Sequence, residues 1–415
     1  MTLSLSVSSD RACRQLDELA AFSDAPAPAV TRVLFTETDL RGRTYIRKLM
    51  EDAGLSFRVD PAGNLFGRWL GSEPDLPAVA TGSHCDAIPH SGRYDGTVGV
   101  IGAIEAVVAL RVTGFQPRRS IEVIMFNSEE PTRYGIGCLG SRIMSGQLSP
   151  NAASNLKDEG GETFETTRTK AGCSGSLNSV RLQPGTYHAF VELHIEQGPL
   201  LEQQNLPIGV VTAIAAPAAF RVTFHGEGGH AGAVLMLDRK DALLPAAELT
   251  VAVEQAAVEL GGNDTVATVG ILDVHPHAIN SIPSRAEMTV DVRDIDLERR
   301  DLVLEAIKKY ATEVAESRKI RIQLEMINAD RPAKCDERVI AAIRAAAEEA
   351  NLPALPMISR AYHDSLFMAL IAPTAMIFIP CRGGVSHRPD EYASPEAIGG
   401  GIEVLARTLA RLSLA

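Results

Sequence analysis

The feature that most constrains the fold of this chain is a set of short, almost entirely apolar runs that each lead into a polar segment containing His, Asp or Glu. These runs occupy residues 78–81, 120–127, 189–194 and 374–379. Such runs are typical of strands buried on both faces of a parallel sheet. Helical patterns alternate with them, which predicts an α/β domain with a mixed sheet flanked by helices. Ligands bind at the carboxyl ends of such strands, so the polar segments predict a site at one sheet edge.

The pattern changes in the middle of the chain. Predicted strands at 219–224, 266–272 and 285–292 and predicted helices at 241–260 and 296–316 indicate a compact α+β unit. The α/β style returns after about residue 332, with predicted helices at 337–350 and 395–412. The simplest explanation is a domain of residues 213–327 inserted between the two parts, 1–212 and 328–415, of a larger domain.

Length and charge exclude several classes of function. A chain of 415 residues is longer than one compact core usually grows, which agrees with two domains. The formal charge of −12 argues against a nucleic-acid groove or a membrane surface as the main partner, so we expect a small-molecule ligand. The six cysteines are scattered without CxxC pairs, which is typical of reduced thiols in a cytoplasmic protein.

The polar segment after the first run contains a possible metal ligand set. His84 and Asp86 form a His-x-Asp pair, and Asp95 follows in the same glycine-rich loop. A histidine hydrogen-bonded to a nearby carboxylate often serves structure alone, so this pair by itself leaves both interpretations open.

The other runs add further candidates. Glu129 and Glu130 are adjacent carboxylates after the second run, and such close like charges repel unless cations or protons lie between them. His194 ends the third run, and His387 follows the fourth. Nitrogen and oxygen ligands without cysteine suit Zn, Mn, Co or Ni, and a carboxylate can bridge two ions. Solvated loop carboxylates are the alternative interpretation.

Seven motifs together carry a family resemblance. They are GSHCDAIPHSGRYDG, NSEEPTR, ELHIEQGP, HGEGGHAG, INSIPS, VDVRDID and SHRPDE. In this order and at about these separations, the chain resembles the dinuclear metallo-amidohydrolases that cleave N-carbamoyl or ureido groups, within the aminoacylase and carboxypeptidase G-type metallopeptidases. The resemblance covers nearly the whole chain, and SHCDAIPHSGRYDGTVGV and SRAYHDSLFMA are most similar to the ureidoglycolate amidohydrolase branch. It implies a metallopeptidase-like catalytic domain and an inserted lid and dimerisation domain.

The resemblance also implies two divalent ions, with Mn or Zn expected and Co or Ni compatible. The implied ligands are His84, Asp95 and His194 for one ion and Asp95, Glu130 and His387 for the other, so that Asp95 is the bridge. Asp86 would accept a hydrogen bond from the far N–H of His84 and fix its orientation. Glu129 would be the general base.

Three residues match positions that bind substrate in the family. Arg293 would form a bidentate pair with a substrate carboxylate, while Asn280 and Gln197 would hydrogen-bond carboxylate or ureido groups. The residues alone leave a second interpretation for Arg293 equally open, namely a surface salt bridge with Asp291 or Asp294.

Other matched positions imply a homodimer and a small pocket. His230 resembles a family histidine that reaches the neighbouring subunit's active site and steadies the oxyanion, and we expect His230 and Asn280 to act across the interface. Tyr362 and His363 lie in a motif near the substrate, where related enzymes usually have Gly in place of the tyrosine. A larger side chain there favours a small substrate.

The resemblance therefore implies an amidohydrolase that cleaves the ureido or carbamoyl C–N bond of a small carboxylate, foremost ureidoglycolate, in purine catabolism. N-carbamoyl-L-amino acids and allantoate are the alternative substrates. No GxSxG motif indicates a serine nucleophile. A catalytically inactive binding protein of the same fold would lack some ligands, whereas every expected ligand is present.

Overall fold

The computed structural model of the protein describes residues 4–415, which divide into two compact units. The first unit contains the described residues up to Thr212 together with Cys335–Ser359 and His363–Ala415. The second contains Ala213–Lys334 and Arg360–Tyr362. Among the described residues, no helix combines the length and the apolar character that crossing a membrane requires.

The chain up to residue 214 alternates helices and strands. Its helices are α1 (Ser9–Ala20), α2 (Glu37–Asp52), α3 (Thr97–Val112), α4 (Leu139–Ser145), α5 (Pro150–Ser154), α6 (Phe164–Lys170) and α7 (Leu200–Gln204). Its strands are β1 (Val30–Arg32), β2 (Ser56–Val59), β3 (Leu65–Trp69), β4 (Ala78–His84), β5 (Ala87–Ser91), β6 (Ile121–Phe126), β7 (Tyr187–Ile195) and β8 (Ile208–Ile214).

The remaining elements complete the two units. In the second unit they are β9 (Ala216–His225), β10 (Gly229–His230), α8 (Leu243–Leu260), β11 (Val266–His275), β12 (Ser281–Ile282), β13 (Arg285–Asp294), α9 (Leu297–Ser317), β14 (Arg321–Ala329) and β15 (Ala333–Lys334). The chain then returns to the first unit with α10 (Glu337–Glu349), β16 (Ala354–Ser359), α11 (Asp364–Met368), β17 (Thr374–Ile379) and α12 (Pro395–Leu414).

The first unit is built on a mixed sheet in the order β8–β17–β7–β4–β6–β3–β2, with β16 also paired to β8. The four central strands β17, β7, β4 and β6 are mutually parallel, whereas β8, β3 and β2 run antiparallel to their neighbours. Every residue of β4, β6 and β17 is buried, which explains their continuous apolar sequences. Helix α3 is also buried along most of its length, and its sequence is accordingly rich in Ala, Val and Ile.

The second unit has a four-stranded antiparallel sheet in the order β11–β13–β9–β14, a two-stranded sheet of β10 and β12, and two α-helices, α8 and α9. In β13 the residues Ala286, Met288, Val290 and Val292 are buried and alternate with more exposed ones. This period of two places an apolar face against the helices, which contribute Leu249, Val303 and Ile307 to the same core. The sheet and helices thus form a two-layer α+β core.

Candidate metal centre

Four parallel strands end at one edge of the first unit's sheet, and each end carries a candidate ligand. His84 is the last residue of β4, and His194 lies one residue before the end of β7. Glu129 and Glu130 follow β6, and His387 follows β17. Because the strands are parallel, their carboxyl ends open on the same side, which is where such sheets hold ligands.

The first group of converging side chains is His84, Asp95 and His194. Oδ1 of Asp95 lies 3.2 Å from Nε2 of His194 and 3.6 Å from Nε2 of His84. All three residues are buried, and one ligand atom from each lies within 4.8 Å of the others. Two imidazoles and a carboxylate at this spacing can hold one divalent ion.

The second group is Asp95, Glu130 and His387. Nε2 of His387 lies 3.1 Å from Oε1 of Glu130 and 3.3 Å from Oδ2 of Asp95, and the three ligand atoms again lie within 4.8 Å of one another. Asp95 therefore presents Oδ1 to one group and Oδ2 to the other, so the structure brings together all the residues that the sequence proposes as ligands.

Backbone carbonyls orient the two buried histidines. Nδ1 of His84 lies 3.1 Å from the carbonyl oxygen of Asp86, and Nδ1 of His194 lies 2.9 Å from that of Ile195. When these nitrogens carry the protons, Nε2 of each ring is unprotonated, lies near Asp95 and can act as a ligand.

Asp86 has a different set of partners from the one that the sequence suggests. Its Oδ1 is 3.6 Å from Nδ1 of His84, beyond hydrogen-bond distance, whereas its carboxylate accepts the backbone N–H groups of Glu129 and Glu130 at 3.2 and 3.0 Å. The carbonyl of Asp86, rather than its carboxylate, meets the histidine ring. The Asp86 side chain thus anchors the two glutamates that follow β6.

Gly96 allows the loop of Asp95 to approach the histidines. It has a φ of 66°, and a Cβ at this position would lie 2.3 Å from Nε2 of His84. Its N–H donates to Nε2 of His194 at 3.1 Å. Only glycine adopts this conformation without strain and without filling the space between the rings.

The electrostatics of the site fit bound cations. Burial disfavours the charged form of Asp95, yet hydrogen bonds from His194, His387 and His84 hold its pKa well below the usual range. Hydrogen bonds to Asp95 and Glu130 raise the pKa of His387 to about 10. Without metal, the proton that His387 retains therefore offsets part of the carboxylate charge.

The pKa of Glu129 is also displaced. Burial raises the pKa of Glu129 well above its usual value. The charge of His84 opposes this effect, and the charge of Glu130 adds to it. Divalent cations would replace the protons at such a site. The donor set of imidazoles and carboxylates is one that divalent transition metals accept, so the residues fit bound divalent ions.

The two predicted substrate residues of the first unit lie beside the ligands. Gln197 donates from Nε2 to Oδ2 of Asp95 at 2.7 Å, so its amide is directed at the predicted bridging ligand. His363 is buried, its Nε2 lies 2.9 Å from Oγ of Ser359, and its ring packs edge-to-face on His194 with centroids 4.6 Å apart.

In the second unit, Arg293 forms a bidentate ion pair with Asp291. Its Nε and Nη2 lie 3.1 and 3.0 Å from the two carboxylate oxygens, and Nη1 lies 3.4 Å from the carbonyl of Arg360. Of the two interpretations that the sequence leaves open for Arg293, the salt bridge with Asp291 is therefore present. Tyr362 donates its hydroxyl to the carboxylate of Asp330.

His230 and Asn280 lie beside each other at the small two-stranded sheet that β10 and β12 form. His230 pairs with Ser281 between β10 and β12, and the N–H of Ala231 donates to the carbonyl of Asn280 at 2.9 Å. Both side chains are exposed to solvent. These two predicted residues are therefore neighbours within the second unit.

The structure adds three residues to the site. Ser386 and Glu391 contact Asp95, and Cys138 contacts Glu129. Ser386 and Glu391 lie in the SHRPDE motif, so the motif carried a signal for them, whereas no pattern in the sequence singles out Cys138.

Comparison with known proteins agrees with this geometry. Residues 80–411 match Peptidase family M20/M25/M40. The match spans most of the chain, and the chain therefore belongs to this family and is a hydrolase.

Two curated relatives and one solved structure are most informative. The chain is 54% identical to ureidoglycolate hydrolase of Arabidopsis thaliana over 99% of this chain and 88% of that protein. It is 56% identical to ureidoglycolate hydrolase of Oryza sativa subsp. japonica over 98% of this chain and 85% of that protein. A crystal structure of AtUAH in complex with glyoxylate matches with a TM-score of 0.90 and 54% identity, over 99% of each chain.

Proposed function

We propose that this protein is a ureidoglycolate amidohydrolase: water cleaves a ureido C–N bond and releases ammonia, and the resulting carbamate loses carbon dioxide. The remaining product then decays to glyoxylate and a second ammonia. The convergence of His84, His194 and His387 on the two oxygens of Asp95 carries this proposal. The identity to plant ureidoglycolate hydrolases supports ureidoglycolate over the alternatives, N-carbamoyl-L-amino acids and allantoate.

Two divalent ions would be held as the geometry suggests. His84, Asp95 and His194 would bind one ion, and Asp95, Glu130 and His387 the other, with Mn or Zn favoured and Co or Ni compatible. When bound, such ions polarise the substrate carbonyl and acidify water. Asp86 would keep Glu129 and Glu130 in place through their backbone amides.

Glu129 would move the proton of the reaction. Its buried carboxylate would accept a proton from the attacking water and return it to the departing nitrogen. The raised pKa of Glu129 supports this role, because a general base works best when its pKa approaches the working pH. Gln197 and His363 lie close enough to the ligands to orient the ureido group.

The second unit would supply the remaining groups. Arg293 would bind the substrate carboxylate with the guanidinium edge that Asp291 does not use, and Asn280 would assist. Tyr362 would limit the pocket to small substrates. His230 would stabilise the oxyanion across a homodimer interface, together with Asn280, and the unit would act as a lid and dimerisation domain.

The remaining proposal concerns the compartment. All six cysteines are free thiols, although Cys13 alone is not buried. This pattern supports a cytoplasmic location.

Ammonia release tests the function directly. The chelated protein is reloaded with Mn²⁺ or Zn²⁺ and assayed on ureidoglycolate, allantoate and several N-carbamoyl-L-amino acids at matched concentrations. We expect kcat/KM for ureidoglycolate to exceed the others by more than about tenfold, since one pocket contact can discriminate at this level. Preference for a carbamoyl amino acid would overturn the substrate, and metal-independent turnover or none would overturn the proposed chemistry.

A further inference from the structure

Glu391 occupies an unusual position for a residue outside the ligand set. It lies four residues after His387, and only 4% of its surface is exposed. Its Oε1 accepts the backbone N–H groups of Tyr94 and Asp95 at 2.7 and 3.1 Å. One carboxylate oxygen thus holds the backbone of the Asp95 loop, residues 92–96, from the His387 loop, residues 386–391.

Ser386 extends this connection to the Asp95 side chain. Its Oγ lies 2.8 Å from Oε2 of Glu391 and 2.5 Å from Oδ2 of Asp95. Asp95 is therefore held at its backbone by Glu391 and at its carboxylate by Ser386. Both contacts come from the loop that carries His387, the partner of Asp95 in the second ligand group.

Gly92 leaves the space that this arrangement needs. A Cβ at residue 92 would lie 2.4 Å from Cβ, Cδ and Oε1 of Glu391. The glutamate therefore packs directly against the backbone of the Asp95 loop, and any side chain at residue 92 would push it away.

We propose that Glu391, acting with Ser386, is a positioning residue that fixes the distance between Asp95 and His387 and thereby sets the affinity for the second metal ion. The inference rests on the proposed dinuclear centre. Hydrogen-bonded partners of metal ligands typically change metal affinity by about 10–100-fold when removed. Glu391 itself touches neither ion nor substrate in this proposal.

Binding of Mn²⁺ alone tests it without reference to activity. The metal-free protein is titrated with Mn²⁺ by equilibrium dialysis, and electron paramagnetic resonance distinguishes coupled Mn pairs from single ions. We expect wild type to bind two ions and Glu391→Ala to bind one of them at least about tenfold more weakly, with loss of the coupled signal. Asp390→Asn, which removes an exposed charge from the same loop, is the matched control and should bind like wild type.

Two further variants separate positioning from general destabilisation. Glu391→Gln retains an acceptor for the two backbone amides, and its NH₂ group can donate to Ser386. We therefore expect its affinity for the second Mn²⁺ ion to be close to that of wild type. Ser386→Ala removes one hydroxyl and, like Glu391→Ala, should lower the affinity for the second Mn²⁺ ion. If Glu391→Ala does not fold, the affinity of Ser386→Ala tests the proposal.

Folded Glu391→Ala and Ser386→Ala proteins that both bind two ions at wild-type affinity would overturn the positioning role alone. A single ion on saturated wild type would instead overturn the dinuclear centre, and this role with it.

Discussion

The thiol of Cys138 lies 3.4 Å from Oε1 of Glu129, and both residues are buried. The N–H of Cys138 also donates to the carbonyl of Glu129 at 2.7 Å. Cys138 therefore holds the proposed general base at its backbone and at its carboxylate.

This contact predicts a defect in turnover rather than in binding. Cys138→Ala should lower kcat roughly threefold to tenfold with little change in KM, since one hydrogen bond is worth about 1 kcal/mol. Cys138→Ser keeps a donor and should recover most of the loss. Cys335→Ala, at a buried cysteine elsewhere in the first unit, is the control. Steady-state kinetics equal to wild type for Cys138→Ala would contradict the role.

Glu129→Gln should separate metal binding from catalysis. The amide preserves the shape of the side chain but cannot accept the proton, so we expect kcat to fall by about 10²–10⁴-fold. Metal content, measured by atomic emission, should remain that of wild type. A variant that retains more than a tenth of the wild-type kcat would show that another group is the base.

The pairing of Arg293 with Asp291 predicts an effect on KM. A lysine cannot reproduce the planar fork of the guanidinium, so Arg293→Lys should raise KM for ureidoglycolate by about 10–100-fold. Asp291→Asn should raise KM by less, because it only weakens the pair that holds the guanidinium in place. Arg221→Lys, at a half-exposed arginine on the neighbouring strand, is the control. An unchanged KM in Arg293→Lys would leave this arginine with a structural role only.

Metal removal should destabilise the first unit. Ions that bind only the folded chain stabilise it by about 4 kcal/mol at a concentration a thousandfold above Kd, so we expect chelation to lower Tm by several degrees. The loss should be reversed by Mn²⁺, and the affinity should fall as pH falls because His387, whose pKa is raised to about 10 without metal, must lose its proton to bind. Differential scanning calorimetry measures both effects. An unchanged Tm after complete chelation would argue against the site.

Arg32 predicts a large effect on stability. Its buried guanidinium donates to the carbonyls of Cys85, Leu19 and Phe22 at 2.7, 2.6 and 3.0 Å. Arg32→Met would leave these carbonyls without their donor and should lower the free energy of unfolding by about 2–4 kcal/mol. Arg47→Met, at an exposed helical ion pair, should change it by about 0.5 kcal/mol or less. Urea denaturation measures the free energy of unfolding of both variants. An equal loss in the two variants would contradict the stabilising role of the Arg32 hydrogen bonds.

Several elements could be predicted because burial dictates their composition. Strand Thr374–Ile379, buried throughout, has the bounds that the sequence predicts, and α12 ends two residues later than predicted. Strand β14 was not predicted, although Ile322, Leu324 and Met326 alternate with polar residues; most of its side chains are exposed. Helix α1 was not predicted, although Ala12, Leu16 and Leu19 recur at helical spacing after the capping Ser8.

The sequence by itself determined that apolar strands end in histidines and carboxylates, because a buried parallel sheet requires such runs and opens its site at their carboxyl ends. Only the tertiary structure decided which groups pair. Glu391 meets Tyr94 although 297 residues separate them, Arg293 faces Asp291, and Gln197 faces Asp95. A hydrogen bond requires its donor and acceptor atoms to lie about 3 Å apart. For residues far apart in the sequence, only the folded chain brings the two atoms to that distance.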